Sequence, residues 1–306
     1  MKETAELNGV IVVNKPMDYT SFDVIAVMRG LLGQRKIGHC GTLDPNATGV
    51  LPLLLGNATK AQDIVPNHDK EYVAGFKLGM TSDTLDIWGK ILTENKSQVS
   101  KAEAEEALKK FVGEIEQIPP MYSAVQIDGK RLYDLAREGK EVERQSRKVT
   151  VYNAELLSFD DESQSGTIRV KCSKGTYIRT IIDDFGKKLG CGAVMNSLQR
   201  VSACGYNIED AVDFLKAREE ENREKLLTHV MPVESLFTVY GYVAVSEPQA
   251  KRFSNGGELD INRTFLGKKG CEDGEIYRIK TKDGVFLGLG KVNKEKNVIK
   301  FYKKFS

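Results

Sequence analysis

Apolar runs of this chain, such as Val50–Leu55 and Val10–Val13, are short. Both are the length of a buried strand and far too short to cross a bilayer, so the core must be assembled from short pieces joined by turns. Residues 9–14, GVIVVN, form a β-branched run that stops at Lys15-Pro16 and predicts a strand. Thr20 or Ser21 then caps a helix running to about Leu32, with Phe22, Ile25, Met28 and Leu32 near one face and Gly33 as its stop. Residues 50–55 and 72–78 read as further buried strands, although Pro52 weakens part of the first. Ser100 and Glu103 make a capping box for a helix that buries Ala104, Leu108 and Phe111. Strands are expected over 149–158 and 167–173, a helix from Thr176 to Gly190, and a charged helix over about 208–227.

From about Tyr240 the pattern changes to short strands and Gly turns such as Asp283-Gly284. With 306 residues there is room for more than one core, so we expect one part over 1–239 and a small β-rich part over 240–306. The stretch 118–150, with Pro119-Pro120, Gly129 and Gly139, reads as a long exposed insertion.

Composition narrows the function classes. An apolar share of 41% with 29% charged residues is that of a soluble globular protein. MKETAELNGV lacks the basic and apolar pattern of a signal peptide, which predicts a cytoplasmic location. The five cysteines, Cys40, Cys172, Cys191, Cys204 and Cys271, are odd in number and contain no C-x-x-C pair; reduced thiols are expected, not a metal site or disulfide framework. Net charge is only +2, yet residues 251–306 hold 14 Lys and Arg against 7 Asp and Glu. That basic end suits phosphate contact, or is simply a solvated face. The insertion interleaves Lys130, Arg131, Arg137, Arg144, Arg147 and Lys148 with Tyr122 and Tyr133, a mixture suited to RNA, diluted by acids including Asp128 and Glu138. We expect it to order over bound RNA.

The segment Gly38–Gly49, GHCGTLDPNATG, is a loop between apolar segments. Asp44 in such a loop is either a turn former or a rigidly positioned catalytic group, and His39 stands near it. The residues alone leave both open. Tyr72, at a strand start, could face a pocket or the core, and Leu198 is core by default.

GHCGTLDPNATGVLPLLLGNATK resembles the catalytic motif of the TruB family of pseudouridine synthases. In the same order, NKPMDYTSFDVI, KEYVAGFKLGMTSDTLDIWG, IEQIPPMYSAVQIDGKRLYDLAREG and KCSKGTYIRTIIDDFGKKLGCGA resemble four further segments of that family, and the five together span about residues 9–205. The resemblance implies an α+β fold: a mixed, largely antiparallel central sheet flanked by helices, then a small β-rich PUA-like module. It implies that Asp44 is the essential aspartate, Arg179 its partner, and Tyr72 the aromatic that stacks on the target uracil. His39, Tyr177 and Leu198 would line the flipped nucleotide, Lys15 and Pro16 would support the site, and 118–150 would be an RNA-contacting thumb. The implied reaction isomerises uridine in the T arm of tRNA, position 55 in the family, with no cofactor, no metal, no membrane and no obligatory protein partner. A monomer is expected, and a role in assisting tRNA folding is possible for the family. Two departures are visible: Asn14 stands where many members have Asp, and Gln199-Arg200 where Arg-Arg is common. An ordinary aspartate has a pKa of about 3.9 and is ionised near neutrality. Such a carboxylate can attack ribose C1′ or take a proton from C2′; the sequence leaves both routes open. Retaining glycosidases use two carboxylates. Asp183 and Asp184, one turn beyond Arg179, read as solvated helix residues instead.

Overall fold

A computed structural model describes residues 6–123, 125–127 and 129–305; Met1–Ala5 and Asp128, on which the leader and insertion-charge readings drew, lie outside the described residues. In chain order the first half comprises β1 (Gly9–Lys15), α1 (Ser21–Leu32), β2 (Ile37–His39), β3 (Thr48–Leu55), β4 (Lys70–Leu78), β5 (Met80–Ser82), β6 (Ile91–Glu94), α2 (Lys101–Lys109), β7 (Gly113–Gln117), β8 (Gln126–Ile127), β9 (Lys130–Arg131) and α3 (Leu132–Arg137). There follow β10 (Arg147–Asp160), β11 (Ser165–Cys172), α4 (Ile178–Lys188), β12 (Ala193–Ala203), β13 (Tyr206–Asn207), β14 (Val212–Asp213), α5 (Phe214–Glu220) and α6 (Arg223–Leu227). The remainder is β15 (Tyr242–Val245), α7 (Glu247–Ser254), β16 (Leu259–Asp260), α8 (Leu266–Lys269), β17 (Ile276–Thr281), β18 (Phe286–Asn293) and β19 (Val298–Lys303).

Ten strands form one sheet, ordered β14-β1-β3-β12-β4-β11-β10-β7, with β13 on β12 and β2 on β3. Within that sheet, among the described residues, only β1–β14 and β3–β12 pair in parallel. The sheet is thus mixed and largely antiparallel, with helices against it, and a separate five-stranded sheet β15-β17-β18-β19-β16 ends the chain. This is the α+β architecture with a small PUA-like β-rich end that the sequence led us to expect.

Local chemistry explains the elements that carry the site. Thr20 caps α1 and Asp23 returns the bond, while Gly33 ends the helix at φ 61. Pro52 stays inside β3, its carbonyl accepting from Cys40 N–H at 3.0 Å. One apolar cluster joins Leu43, Ala47, Tyr72, Phe76, Phe185 and Leu198 between the sheet and helices α2 and α4. A second runs from β1 and β3 to Phe237, Leu289 and Phe305, linking the two sheets.

Several expectations are corrected. Phe22 does not face the core but is 63% exposed. The helix expected from Thr176 begins at Ile178, because the Thr176 hydroxyl instead bonds Ser173 O. The expected 208–227 helix is broken into a 3-10 turn, β14, α5 and α6, since Asp213 and Asn222 each cap a new short helix. The 118–150 stretch is not uniformly exposed: Leu132 and Leu135 are buried, and Arg147 to Thr150 belong to β10, paired with β7.

Candidate active site

The loop between β2 and β3 is fastened from three sides. Leu43 N–H donates to Ser21 Oγ at 3.0 Å, and Asp18 N–H donates to Pro45 O at 3.0 Å. Lys15, wholly buried, spends its ammonium on Pro16 O (2.8 Å), Tyr19 O (2.6 Å) and Pro45 O (3.1 Å). Arg200, also wholly buried, donates to Val50 O (2.7 Å), Thr42 O (3.2 Å) and Gly41 O (3.0 Å). Two buried cations bonded to backbone carbonyls leave positive charge beneath the loop. Burial lowers Lys15 to about 8, against the opposing pull of Asp44. Gly49 closes the loop at φ 107, where a Cβ would stand 2.2 Å from Arg200 O. The backbone around Asp44 is therefore over-determined, as a catalytic group requires.

Asp44 itself points into a cleft of about 760 Å³ that also takes in His39, Arg179 and Asp86, a volume in the range of ligand pockets. Its carboxylate is 47% exposed, and Arg179, only 7% exposed, reaches Oδ2 at 2.9 Å. Three further partners fix that guanidinium: Tyr122 O at 2.8 Å, Thr84 O at 3.1 Å and Asp86 Oδ2 at 3.6 Å. Asp86 is in turn held by the Thr84 hydroxyl (2.6 Å) and Trp88 N–H (3.2 Å). Gln117 brackets Tyr177 with bonds to its N–H (3.0 Å) and its C=O (3.2 Å), fixing the start of α4 two residues before Arg179. The planar fork matters here: one guanidinium meets four acceptors on three segments of the chain.

The other expected residues fall in two groups. His39 lines the cleft, packs edge to face with Phe22 at 5.7 Å, and leaves its buried Nδ1 without a partner among the described residues. Burial, aided by Arg200, holds it below the ordinary histidine pKa, so it is neutral at physiological pH. Pro16 contributes its carbonyl to Lys15. Tyr72 and Leu198 do not line the cleft. They lie one layer below it, in the cluster that includes the cleft residues Leu43 and Ala47, and Tyr72 faces Arg200 in the β4–β12 register. Burial raises the Tyr72 phenol to about 12, keeping it protonated. Tyr177 is half-buried and is not a cleft residue.

The sequence reading missed Asp86, whose identity as a second acid on Arg179 depends on a turn meeting a helix from far along the chain. It also misjudged Asp183, which is buried and bonded to Lys187 at 2.6 Å, outside the cleft. Of the pair Gln199-Arg200, Gln199 is exposed and Arg200 is internal, so only the first could meet a phosphate.

Residues 29–178 match the family described as TruB family pseudouridylate synthase (N terminal domain), and residues 179–238 match the tRNA pseudouridylate synthase B C-terminal domain. The chain is 42% identical over 290 residues to the tRNA pseudouridine synthase B of Clostridium tetani, covering 94% of this chain and 97% of that one. The chain belongs to the TruB family. Another TruB relative, from Lactobacillus johnsonii, is 39% identical over 286 residues, 91% of this chain and 95% of its own. Among solved structures, a chain of a Cbf5-Nop10-Gar1 complex superposes with a TM-score of 0.71 at 26% identity, covering 97% of this chain and 85% of that chain. As a TruB-family protein the chain is a pseudouridine synthase, an isomerase. No helix among the described residues is long and apolar enough to cross a membrane.

Proposed function

We propose that this enzyme converts uridine to pseudouridine in the T arm of tRNA, at position 55, with Asp44 as the catalytic carboxylate. The observation that carries the reading is the Asp44–Arg179 pair at 2.9 Å inside a cleft whose loop cannot shift. The names of the relatives, tRNA pseudouridine synthase B, support the substrate. The reaction breaks the C1′–N1 and C5–H bonds and forms the C1′–C5 and N1–H bonds, leaving the atom count unchanged, so it needs no redox partner or group donor. Asp44 either bonds C1′ as the uracil departs or takes the C2′ proton to leave a glycal; both need the same carboxylate aimed at the same ribose. Arg179 aims it, and four acceptors keep the guanidinium from swinging away.

The uridine must leave its stack to enter, which costs a few kcal/mol. We assign His39 to the wall around it, Tyr72 and Leu198 to the apolar layer that backs the cleft residues Leu43 and Ala47, and Tyr177 to the anchored start of α4 that presents Arg179. Lys15 and Pro16 hold the loop. Residues 118–150 form the RNA-contacting thumb, in which Arg131 and Arg137 flank the Tyr133 ring at 5.7 and 5.5 Å. We place the boundary between the catalytic and the basic PUA-like parts at 239/240, the latter contacting phosphate.

Incubating the purified enzyme with an unmodified tRNA transcript and mapping pseudouridine along it tests the reading. One pseudouridine, in the T arm at position 55, is expected; none there, or conversion elsewhere, overturns it.

A further inference from the structure

The chain has one tryptophan, Trp88, and it is not in a core. It stands in the turn between β5 and β6, 41% exposed, and lines the same cleft as Asp44 and Arg179. Burying an indole is worth far more than leaving it wet, so an exposed one at a polar site calls for a partner. Packing on the turn does not supply one: Ile87 and Ile91 beside it are themselves 43% and 36% exposed.

The backbone that carries this indole is unusually fixed for a turn. Ile87 N–H donates to Met195 O at 2.8 Å and Met195 N–H donates to Leu85 O at 3.1 Å, tying the turn to β12. Thr84 O accepts from Arg179, and Trp88 N–H donates to Asp86 Oδ1. Lys90 N–H donates to Asp83 Oδ1 at 2.8 Å, closing the turn. A rigid aromatic anchor binds with little further loss of conformational freedom. Arg131 and Arg137 line the same cleft. Aromatic faces with guanidinium groups nearby are the chemistry of a single-stranded nucleic-acid path, bases on rings and phosphates on cations.

We propose that Trp88 is a stacking platform for the base of a nucleotide neighbouring the target uridine. The inference rests on the RNA substrate proposed above. Trp88 and Asp44 line one cleft, and the turn that carries Trp88 is tied to Arg179 through Asp86, which accepts from Trp88 N–H and pairs with the guanidinium. Because the indole shares one cleft with Asp44, the base on Trp88 is a close neighbour of the target in the strand. The subsite holds the strand in register while the target base is out of its stack.

Because the chain has a single tryptophan, its intrinsic emission reports this one position. The full chain carrying Asp44→Asn is titrated with a T-arm stem-loop RNA, and the emission should fall to a saturating plateau as the indole stacks on a base. Repeating the titration with an abasic site at each position within two nucleotides of the target should remove the quenching at one of them. In steady state, Trp88→Ala and Trp88→Leu should each raise KM about tenfold with the smaller change in kcat, and Trp88→Phe should recover most of the loss. Unchanged emission at saturating RNA, quenching that no single abasic position removes, or a wild-type KM in both the Ala and Leu variants would overturn the proposal. If the unaltered enzyme converts the T arm while Trp88 stays silent, this inference alone falls; if it does not convert the T arm, the substrate reading falls and takes this one with it.

Discussion

Arg179 shows how a single side chain sets the geometry of a site. It is nearly enclosed, yet it makes one bond to a half-exposed carboxylate and three to fixed acceptors. A pair this exposed on one side adds little to stability; the use we propose for it is aim. Arg179→Ala should therefore lower kcat by at least about a hundredfold while tRNA affinity changes less than about threefold. Single-turnover rates and filter binding separate the two, and equal losses in both contradict the role. Asp44 and Arg179 were legible in the sequence because each sits in a long segment resembling the family. Arg200 and Asp86 were not, since their roles come from burial and from contacts between distant segments, which no local pattern encodes. Lys15 gives a pH signature. Burial lowers it from 10.5 to about 8. Below pH 8 the folded and unfolded chains both carry the proton, and the buried charge opposes folding. Between pH 8 and 10.5 the unfolded chain keeps a proton the folded one has released, so stability rises with pH. Urea unfolding of the wild type should gain on Lys15→Met across that window by up to about 3 kcal/mol; a flat or shrinking gap contradicts it.

At the scale of elements, the loop that carries Asp44 is a bridge between β2 and β3 whose far end needs a glycine. At Gly49 the backbone is left-handed and a methyl group would collide with Arg200 O at 2.2 Å, an atom of the neighbouring strand that cannot step aside. Gly49→Ala should lower stability by more than about 2 kcal/mol and reduce kcat together with it, measured by urea melts and initial rates. A variant with wild-type stability would mean the loop is looser than described. The strands β1, β3 and β4 and helix α1 were readable because β-branched runs, a capping box and a terminal glycine act within a few residues. The 208–227 stretch misled for the same reason in reverse: its charge and length suggested one helix, while Asp213 and Asn222 offered side-chain acceptors that begin new ones. Phe22 misled too. Its spacing on α1 is that of a core residue, but the helix turns it to the cleft, against His39.

At the scale of the whole molecule, the two sheets share apolar contacts as well as chain. Phe237 packs on Phe305 with ring centroids 5.2 Å apart, and Leu289 lies in the same cluster. Truncation after residue 239 should thus do two things: expose that cluster, lowering the unfolding temperature, and remove 14 basic side chains against 7 acidic ones from 251–306. The salt dependence of tRNA binding should become shallower, while conversion of bound tRNA falls less than affinity. A truncated enzyme with unchanged affinity and salt slope would mean that the basic end does not touch RNA. The whole arrangement, sheet, clamped loop and buried guanidinium, converges on one carboxylate. The most direct measurement is single-turnover pseudouridine formation by Asp44→Asn, with its tRNA affinity taken in parallel. The account predicts binding within a few-fold of wild type and no detectable product; product at a rate near that of the unaltered enzyme would contradict it.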